Sequence, residues 1–371
     1  MKQRFKKHVA LTLISLMLLS LIGCGKPAST ETTTTTETAV TEAPAASISD
    51  AATTADSTPA DASEEGSDAQ TVYPVTVTDQ AGREVTIEKE PESIVSGYYI
   101  STSLLLALGL KDKVTGIEAK ADKRPIYKLA APEFLELPNV GTAKEFDLET
   151  CASLSPELVI LPMKLKDAAQ SLSELDIPVL LVNPESEDQL EQMIELVSTA
   201  TNTKGNADAL LSYIDEKKEM LEKDLSGVDA KSVYLAGNSS LLSTAGPAMY
   251  QSGLIELAGG KNAASEITDT YWAEISYEQL LAWDPSYIIL ASDAEYTPED
   301  VLNDENLKEC TAVKNGDVYA IPGDIEALDS PVPGGILASI WLAGILHPDQ
   351  VSADMYTEEK AAFYETFYGI K

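Results

Sequence analysis

A fifteen-residue unit occurs twice in the chain, at residues 147–161 (DLETCASLSPELVIL) and at residues 276–290 (SYEQLLAWDPSYIIL). Each copy places a Glu seven positions before a Pro and ends in a short apolar run. The apolar residues before each Pro have the spacing of one helix face, and the run after it predicts a buried strand. The two copies begin 129 residues apart, a period too long for the repeats of a solenoid protein. It predicts two lobes of similar build, which would enclose a cleft.

Short apolar strands alternate with helical segments across residues 72–371, which predicts an α/β fold with parallel sheets. Between the two halves, residues 205–225 contain no Pro and no internal Gly, and their apolar positions follow helical spacing. Such a helix is about 30 Å long, the width of a small lobe. We therefore expect an N-terminal lobe at 72–203, a single linking helix at 204–226 and a C-terminal lobe at 227–371. A helical hinge bends little, so we expect the cleft to open modestly.

Residues 1–24 have the layout of a secretory signal, with four basic residues followed by an apolar run at 9–22. That run has 14 residues, fewer than the roughly 20 that a mature membrane-spanning helix needs. It ends in Leu-Ile-Gly directly before Cys24, which resembles the lipobox of bacterial lipoproteins and implies lipidation of this Cys; a chance Cys after a signal is the alternative. Two or more acyl chains on one Cys anchor a protein stably.

Residues 25–71 consist mainly of Thr, Ala, Ser, Glu, Asp and Pro, with almost no bulky side chains. Such a segment cannot bury enough surface to offset the entropy of ordering, so we expect a disordered tether. Its end-to-end distance would be on the order of 40 Å. The formal net charge of the whole chain is −34, which opposes binding to nucleic acid or to anionic lipid.

Reactive residues are few. Cys151 and Cys310 lie in different halves and in helix-like segments, so we expect two buried thiols rather than a disulfide. His347 is the only His after the signal, which argues against a metal site and favours a cation near a helix C-terminus. The chain contains no Gly-x-Ser-x-Gly, His-Glu-x-x-His or Walker motif. These observations predict no enzyme, no resident metal and no cofactor.

Several weak motifs occur together in a specific order: VTDQAGREV at 77–85, the Asn-Val-Gly turn at 139–141, both Glu-to-Pro units, the long linking helix and GGKN at 259–262. Together with the lipobox and tether, they resemble the substrate-binding lipoproteins of ABC importers in the iron-siderophore and cobalamin class, over about residues 75–370. The resemblance implies two Rossmann-like lobes joined by a single long α-helix, with the ligand cleft between the lobes. It also implies a monomer, lipid-anchored outside the bacterial cell membrane, that serves an ABC permease dimer and its ATPase.

In parallel α/β sheets the loops at the carboxyl ends of the strands line the binding crevice. Those loops contain neighbouring aromatic pairs, which suit a flat or apolar chelate, although ordinary packing explains any single aromatic equally well. Neighbouring side chains cannot both face the core easily. The candidate ligand-binding residues in these loops are Tyr98, Tyr99, Ser101, Thr142, Lys144, Met163, Ser239, Ser240, Tyr271, Trp272, Asp329 and Ser330.

Arg124 is a further candidate. It lies in the densest basic patch of an acidic domain, with Lys120, Lys123 and Lys128. Related proteins often bring this region to the mouth of the cleft, so Arg124 is a candidate contact for an anionic ligand. The favoured alternative is a basic, solvated helix face.

Glu149 and Glu278 occupy matching positions in the two repeated units. The resemblance implies that one Glu on each lobe docks into a basic pocket on each half of the permease. A Glu at the start of a helix is also favoured by the helix dipole, which explains the repeat without docking.

The sequence thus predicts a receptor that captures an iron chelate of the siderophore type and delivers it to an importer. Haem or a corrinoid are alternative ligands, and so is an oxyanion such as molybdate held by backbone amides and helix N-termini. A sensor or chaperone lipoprotein that serves no permease is a further alternative. Neighbouring permease and ATPase genes would favour transport.

Overall fold

The computed structural model describes residues 70–268 and 270–371. The predicted signal, Cys24 and all but the last two residues of the predicted tether lie outside the described residues. The described chain begins with an antiparallel hairpin of β1 (Val75–Thr78) and β2 (Glu84–Ile87). Asp79 is buried at its turn, where its carboxylate accepts hydrogen bonds from Arg83 and, at 3.0 Å, from the backbone N–H of Leu181. This carboxylate therefore fixes the hairpin to the first sheet.

The first lobe is built on a four-stranded parallel sheet of strand order β4-β3-β5-β6. Its strands are almost entirely buried because helices cover both faces, as expected for a parallel sheet. In chain order the elements are β3 (Ile94–Ser96), α1 (Tyr99–Ala107), β4 (Val114–Gly116), α2 (Pro125–Ala130), α3 (Leu148–Ser153), β5 (Leu158–Pro162), α4 (Lys166–Ser173), β6 (Val179–Val182) and α5 (Glu187–Thr201).

The long helix α6 (Lys204–Asp224) follows; it begins at the predicted residue and ends two residues before the predicted end. It packs against α5 of the first lobe and against helices of the second. Its Lys217 is buried, and Nζ lies 2.9 Å from a carboxylate oxygen of Glu359 in the C-terminal helix. The hydroxyl of Tyr213 donates to the same carboxylate at 2.9 Å. A buried lysine is tolerated here because it is paired.

The second lobe repeats the scheme with a parallel sheet of order β12-β11-β7-β9 and an added antiparallel pair, β8 and β10. Its elements are β7 (Lys231–Ala236), β8 (Ser243–Ala245), α7 (Tyr250–Leu257), β9 (Gly260–Asn262), β10 (Trp272–Glu274), α8 (Tyr277–Trp283), β11 (Tyr287–Leu290), α9 (Pro298–Leu302), α10 (Thr311–Asn315), β12 (Val318–Ala320), α11 (Ile336–Leu346) and α12 (Ala353–Tyr368).

The two copies of the sequence repeat adopt the predicted structure. Each forms a short helix, α3 or α8, followed by the Pro and then by a buried strand, β5 or β11. The helices also begin alike: the side chain of Asp147 accepts from the backbone N–H of Thr150, and that of Ser276 from Gln279. The α/β architecture of two lobes is therefore confirmed.

Some features differ from expectation or were not anticipated. Helix α12 and the β8–β10 pair have no counterpart in the sequence prediction. Cys151 and Cys310 are free and buried, as predicted. His347 is buried too, and its Nε2 lies 3.0 Å from the carbonyl oxygen of Gly259, so it holds two chain segments together.

A buried carboxylate joins the lobes beneath the cleft. Glu326 lies in the loop after β12 and bonds to Ser103 of α1 and to the hydroxyl of Tyr364 of α12, at 3.1 Å. Ser103 also bonds to Tyr368. Burial raises the pKa of Glu326 to about 7, although its hydrogen bonds and the charge of Arg124 oppose the shift. Near neutral pH this group therefore carries a fractional charge inside the protein.

We predict that Glu326→Gln flattens the pH dependence of stability. The folded-state pKa lies above the ordinary value of 4.5, so the folded protein holds this proton more tightly than the unfolded chain does. The contribution of Glu326 is complete below pH 4.5 and is lost as pH rises through 7, a change on the order of 3 kcal/mol. Denaturant unfolding between pH 5 and 9 measures it. Curves that stay parallel for the wild type, Glu326→Gln and the exposed control Glu365→Gln would contradict the prediction.

Candidate functional site

A cleft with a volume of about 760 Å³ opens between the lobes. Three loops of the first lobe form one wall, and the loop after β11 of the second lobe forms the other. This is the position that parallel sheets favour, because the carboxyl ends of their strands meet at one edge. The lining residues are Gly97, Tyr98, Tyr99, Glu118, Ala119, Lys120, Lys123, Arg124, Gly141, Thr142, Ala143, Asp293 and Glu295.

Tyr98 and Tyr99 form the aromatic part of the cleft. Their ring centroids are 5.5 Å apart, and the rings meet edge to face at 75°. The hydroxyl of Tyr99 crosses to the second lobe and donates to Ser330 Oγ at 2.6 Å. Burial raises the pKa of Tyr99 to about 12, so its hydroxyl is neutral and available as a donor at physiological pH.

Arg124 lies across the face of Tyr99, with its guanidinium carbon 4.0 Å from the ring centroid. Its Nη1 is 3.8 Å from Oδ2 of Asp293 on the opposite lobe. The side chain is 30% exposed, so one face of the guanidinium stays open to the cleft. Arg124 ends up here because it takes an extended backbone immediately before α2, whose first residue is Pro125. The structure thus places Arg124 in the cleft wall rather than on a solvated helix face.

Glu118 is a cleft residue that sequence reasoning missed. It is buried, and its carboxylate accepts hydrogen bonds from the hydroxyls of Tyr127 at 2.6 Å and Thr102 at 2.7 Å. Burial raises its pKa, and these two donors and Arg124 oppose the shift. The available signal was its position two residues after the strand β4, between Ile117 and Ala119.

Two backbone conformations shape this part of the cleft. Lys120 has a φ of 70°, a left-handed conformation that is uncommon for residues other than Gly. Gly141 has a φ of 85°, and a Cβ at this position would lie 2.1 Å from the carbonyl oxygen of Glu145. The Asn-Val-Gly turn singled out in the sequence therefore requires its Gly, because no side chain fits there.

The candidate ligand residues fall into distinct groups. Tyr98, Tyr99, Arg124 and Thr142 line the cleft, and Ser330 borders it through Tyr99. Ser101 is buried in α1, where its hydroxyl bonds to Ser96 and donates to the carbonyl oxygen of Tyr98. The other candidates lie outside the cleft lining: Lys144, Met163, Ser239, Ser240, Tyr271, Trp272 and Asp329.

Two of these outer candidates, Asp329 and Trp272, have structural roles away from the cleft. Asp329 is buried and accepts hydrogen bonds from the hydroxyl and backbone N–H of Ser292. Tyr271 is 56% exposed and Trp272 39% exposed, at the β8–β10 pair. The Trp272 ring lies against Gly237, and a side chain at position 237 would meet this ring at 3.1 Å. The exposed aromatic pair therefore lies near a loop at the carboxyl end of β7 but outside the cavity.

Glu149 and Glu278 are both exposed in the first turn of their helices, α3 and α8. Neither forms an ion pair with any residue that the structure describes. Hydrogen bonds from its own backbone and from Ser276 lower the pKa of Glu278, so this carboxylate is ionised at neutral pH. The two side chains are free to contact another molecule.

The described residues contain no cluster of three or more His, Cys, Asp or Glu side chains arranged to hold a metal ion. Among the same residues, no helix is long and apolar enough to cross a membrane.

Comparisons with known proteins agree with this architecture. The chain is 29% identical over 273 residues to the uncharacterized ABC transporter substrate-binding lipoprotein YvrC of Bacillus subtilis, covering 70% of this chain and 82% of the relative. It is 24% identical to the molybdate-binding protein MolA of Haemophilus influenzae (79% and 90% covered) and 23% identical to the petrobactin-binding protein YclQ of B. subtilis (66% and 79%). The solved structure of MolA superposes with a TM-score of 0.71 at 22% identity, covering 80% of this chain and 98% of MolA.

The family model described as periplasmic binding protein matches residues 94–325, which include both sheets and nearly all of the cleft-lining loops. This family consists of binding proteins for transport. The chain therefore belongs to the periplasmic binding protein family and is a substrate-binding protein of the ABC transporter class.

Proposed function

We propose that this protein is a lipid-anchored receptor outside the cell membrane that captures a metal chelate, of the siderophore type, and delivers it to an ABC permease. The observation that carries the proposal is the cleft of about 760 Å³, which has aromatic and cationic side chains on its first-lobe wall. Pockets for small organic ligands span roughly 300–1,000 Å³. The cleft therefore suits a chelate the size of a siderophore.

The relatives bind ligands of very different size. YclQ is a petrobactin-binding protein, and MolA binds molybdate. An oxyanion is the second candidate that this similarity supports. The cleft favours the larger ligand, because a small anion would contact only a fraction of its wall and would meet acids as well as bases. The tyrosine faces also supply apolar surface that a hydrated oxyanion does not use.

We expect Arg124→Gln to weaken binding of a ferric trihydroxamate about tenfold. The guanidinium is held on Tyr99 with one face open, where it can donate to the oxygen atoms of the chelate. A hydrogen bond from a charged donor contributes about 1.5–3 kcal/mol. Quenching of intrinsic fluorescence during titration with the chelate measures the affinity. Lys128→Gln, on the exposed side of α2, is the matched control, and equal affinities for both variants would remove Arg124 from the site.

Glu149 and Glu278 are proposed to dock the loaded receptor on the two halves of the permease. Replacing both with Ala should leave chelate affinity unchanged and abolish chelate-dependent uptake in cells, because the residues lie on helices outside the cleft. Glu299→Ala, another exposed Glu in the first turn of a second-lobe helix, should leave uptake intact. Normal uptake by the double variant would discard the docking roles.

Cys24 is proposed to carry the lipid. Cys24→Ser should move the protein from the membrane fraction to the culture medium or periplasm, because a signal of this type leaves no membrane-spanning helix after cleavage. Fractionation followed by immunoblotting measures the shift. Cys310→Ser, which changes a buried thiol of the second lobe, should leave the protein on the membrane. Membrane retention of the Cys24 variant would contradict lipid anchoring.

A further inference from the structure

The charged side chains of the cleft are divided between its two walls. The first lobe supplies three bases from the segment after β4, and the second lobe supplies two exposed acids from the loop after β11. A third acid, Glu118, is buried beneath the bases. The bases are Lys120, Lys123 and Arg124, and the second-lobe acids are Asp293 and Glu295. The cleft is therefore dipolar and close to charge balance, rather than cationic.

The acidic wall is held in place by hydrogen bonds. The backbone N–H of Glu295 donates to the carbonyl oxygen of Asn238 at 2.8 Å, and the hydroxyl of Tyr296 donates to that of Gly237 at 2.6 Å. The backbone N–H of Ala294 donates to Ala291 at 3.0 Å. These bonds fix the backbone of the loop against the end of β7, so both acidic residues stay at the cleft.

The acids are only partly neutralised within the protein. Asp293 is paired with Arg124 at 3.8 Å, a distance that leaves room for other partners, and its side chain is 58% exposed. Glu295 is exposed and forms no ion pair with any residue of the described chain. A ligand in the cleft covers these carboxylates and removes water from them. Covered carboxylates need a cation or hydrogen-bond donor as a replacement, and the anionic oxygens of a polyanionic ligand are neither.

We propose that the ligand is a chelate with two unlike edges. Its electron-rich, metal-binding oxygens face Arg124 and Lys120, and a protonated amine or guanidine faces Asp293 and Glu295. The net charge of such a ligand is zero or positive. Polyanionic chelates are rejected because they place negative charge against the second-lobe acids. This inference rests on the proposed function, and it names the class of substrate for the same cleft.

The test uses the mature full-length protein at pH 7 and three ferric probes. The first is a linear trihydroxamate complex with a free terminal ammonium, and the second is the same complex with that amine acetylated. The third is a tri-catecholate complex, which carries three negative charges. Fluorescence quenching gives each dissociation constant. We expect the ammonium probe to bind at least fivefold more tightly than the acetylated probe, and the tri-catecholate to bind most weakly.

The double variant Asp293→Asn with Glu295→Gln should bring the ammonium and acetylated probes within twofold of each other, and Glu299→Gln should preserve the preference. Raising the salt concentration should reduce it in the wild type, since both acids are accessible to ions. Equal affinities for the two trihydroxamates in the wild type, or tighter binding of the tri-catecholate, would overturn the dipolar ligand while leaving a chelate receptor in place. Failure of all three probes to bind would overturn the proposed chelate receptor as well.

Discussion

The direction of the strands is the constraint on which the rest of the molecule depends. Both central sheets are parallel, so every strand delivers its following loop to the same edge, and the two edges border one cleft. Tyr98 and Tyr99 follow β3, Glu118 follows β4, and Asp293 follows β11. Asp293, from the second lobe, is far in sequence from the three first-lobe residues. Strand direction alone brings together a site whose parts are separated by more than a hundred positions.

The strands of the two parallel sheets could be predicted from the sequence, because most of them are short apolar runs flanked by polar residues, Gly or Pro. The strands 94–96, 179–182, 287–290 and 318–320 are examples of such runs. Buried parallel strands are continuous apolar runs, and such runs are easy to recognise in a sequence that is otherwise rich in acidic residues. The long helix was equally predictable, because its 21 residues contain no Pro and their apolar positions follow helical spacing. The pair β8–β10 was not predictable in this way, since neither strand is an apolar run (STA and WAE) and β10 is largely exposed.

The acids of the site were harder to anticipate for a physical reason. The chain contains 60 Asp and Glu residues, and a carboxylate on the surface looks the same in sequence as one in a cleft. Glu118 and Glu326 differ from the others only in what surrounds them, namely hydroxyl groups from Thr102 and Tyr127 or from Ser103 and Tyr364. The donors to Glu326 come from elements 223 and 38 positions away, and those to Glu118 come from two different helices, so no local motif reveals either set. Arginine was easier to assign because the chain has only three, which is why Arg124 could be singled out.

The packing at the base of the cleft limits how far the two lobes can move apart. The largest buried core runs continuously through both lobes, including Leu104 of α1, Leu210 of α6 and Leu337 of α11. Above this core, the lobes are joined by the backbone hydrogen bond between Ile126 and Ile325 at 3.1 Å and by the bond from Tyr99 to Ser330. A wide opening would have to break these bonds and expose part of a shared core, which is costly per unit of apolar area. Side chains on the two walls can change partners without that cost. We therefore expect the lobes to keep a nearly fixed separation, and we expect discrimination between ligands to depend on charge and hydrogen bonding.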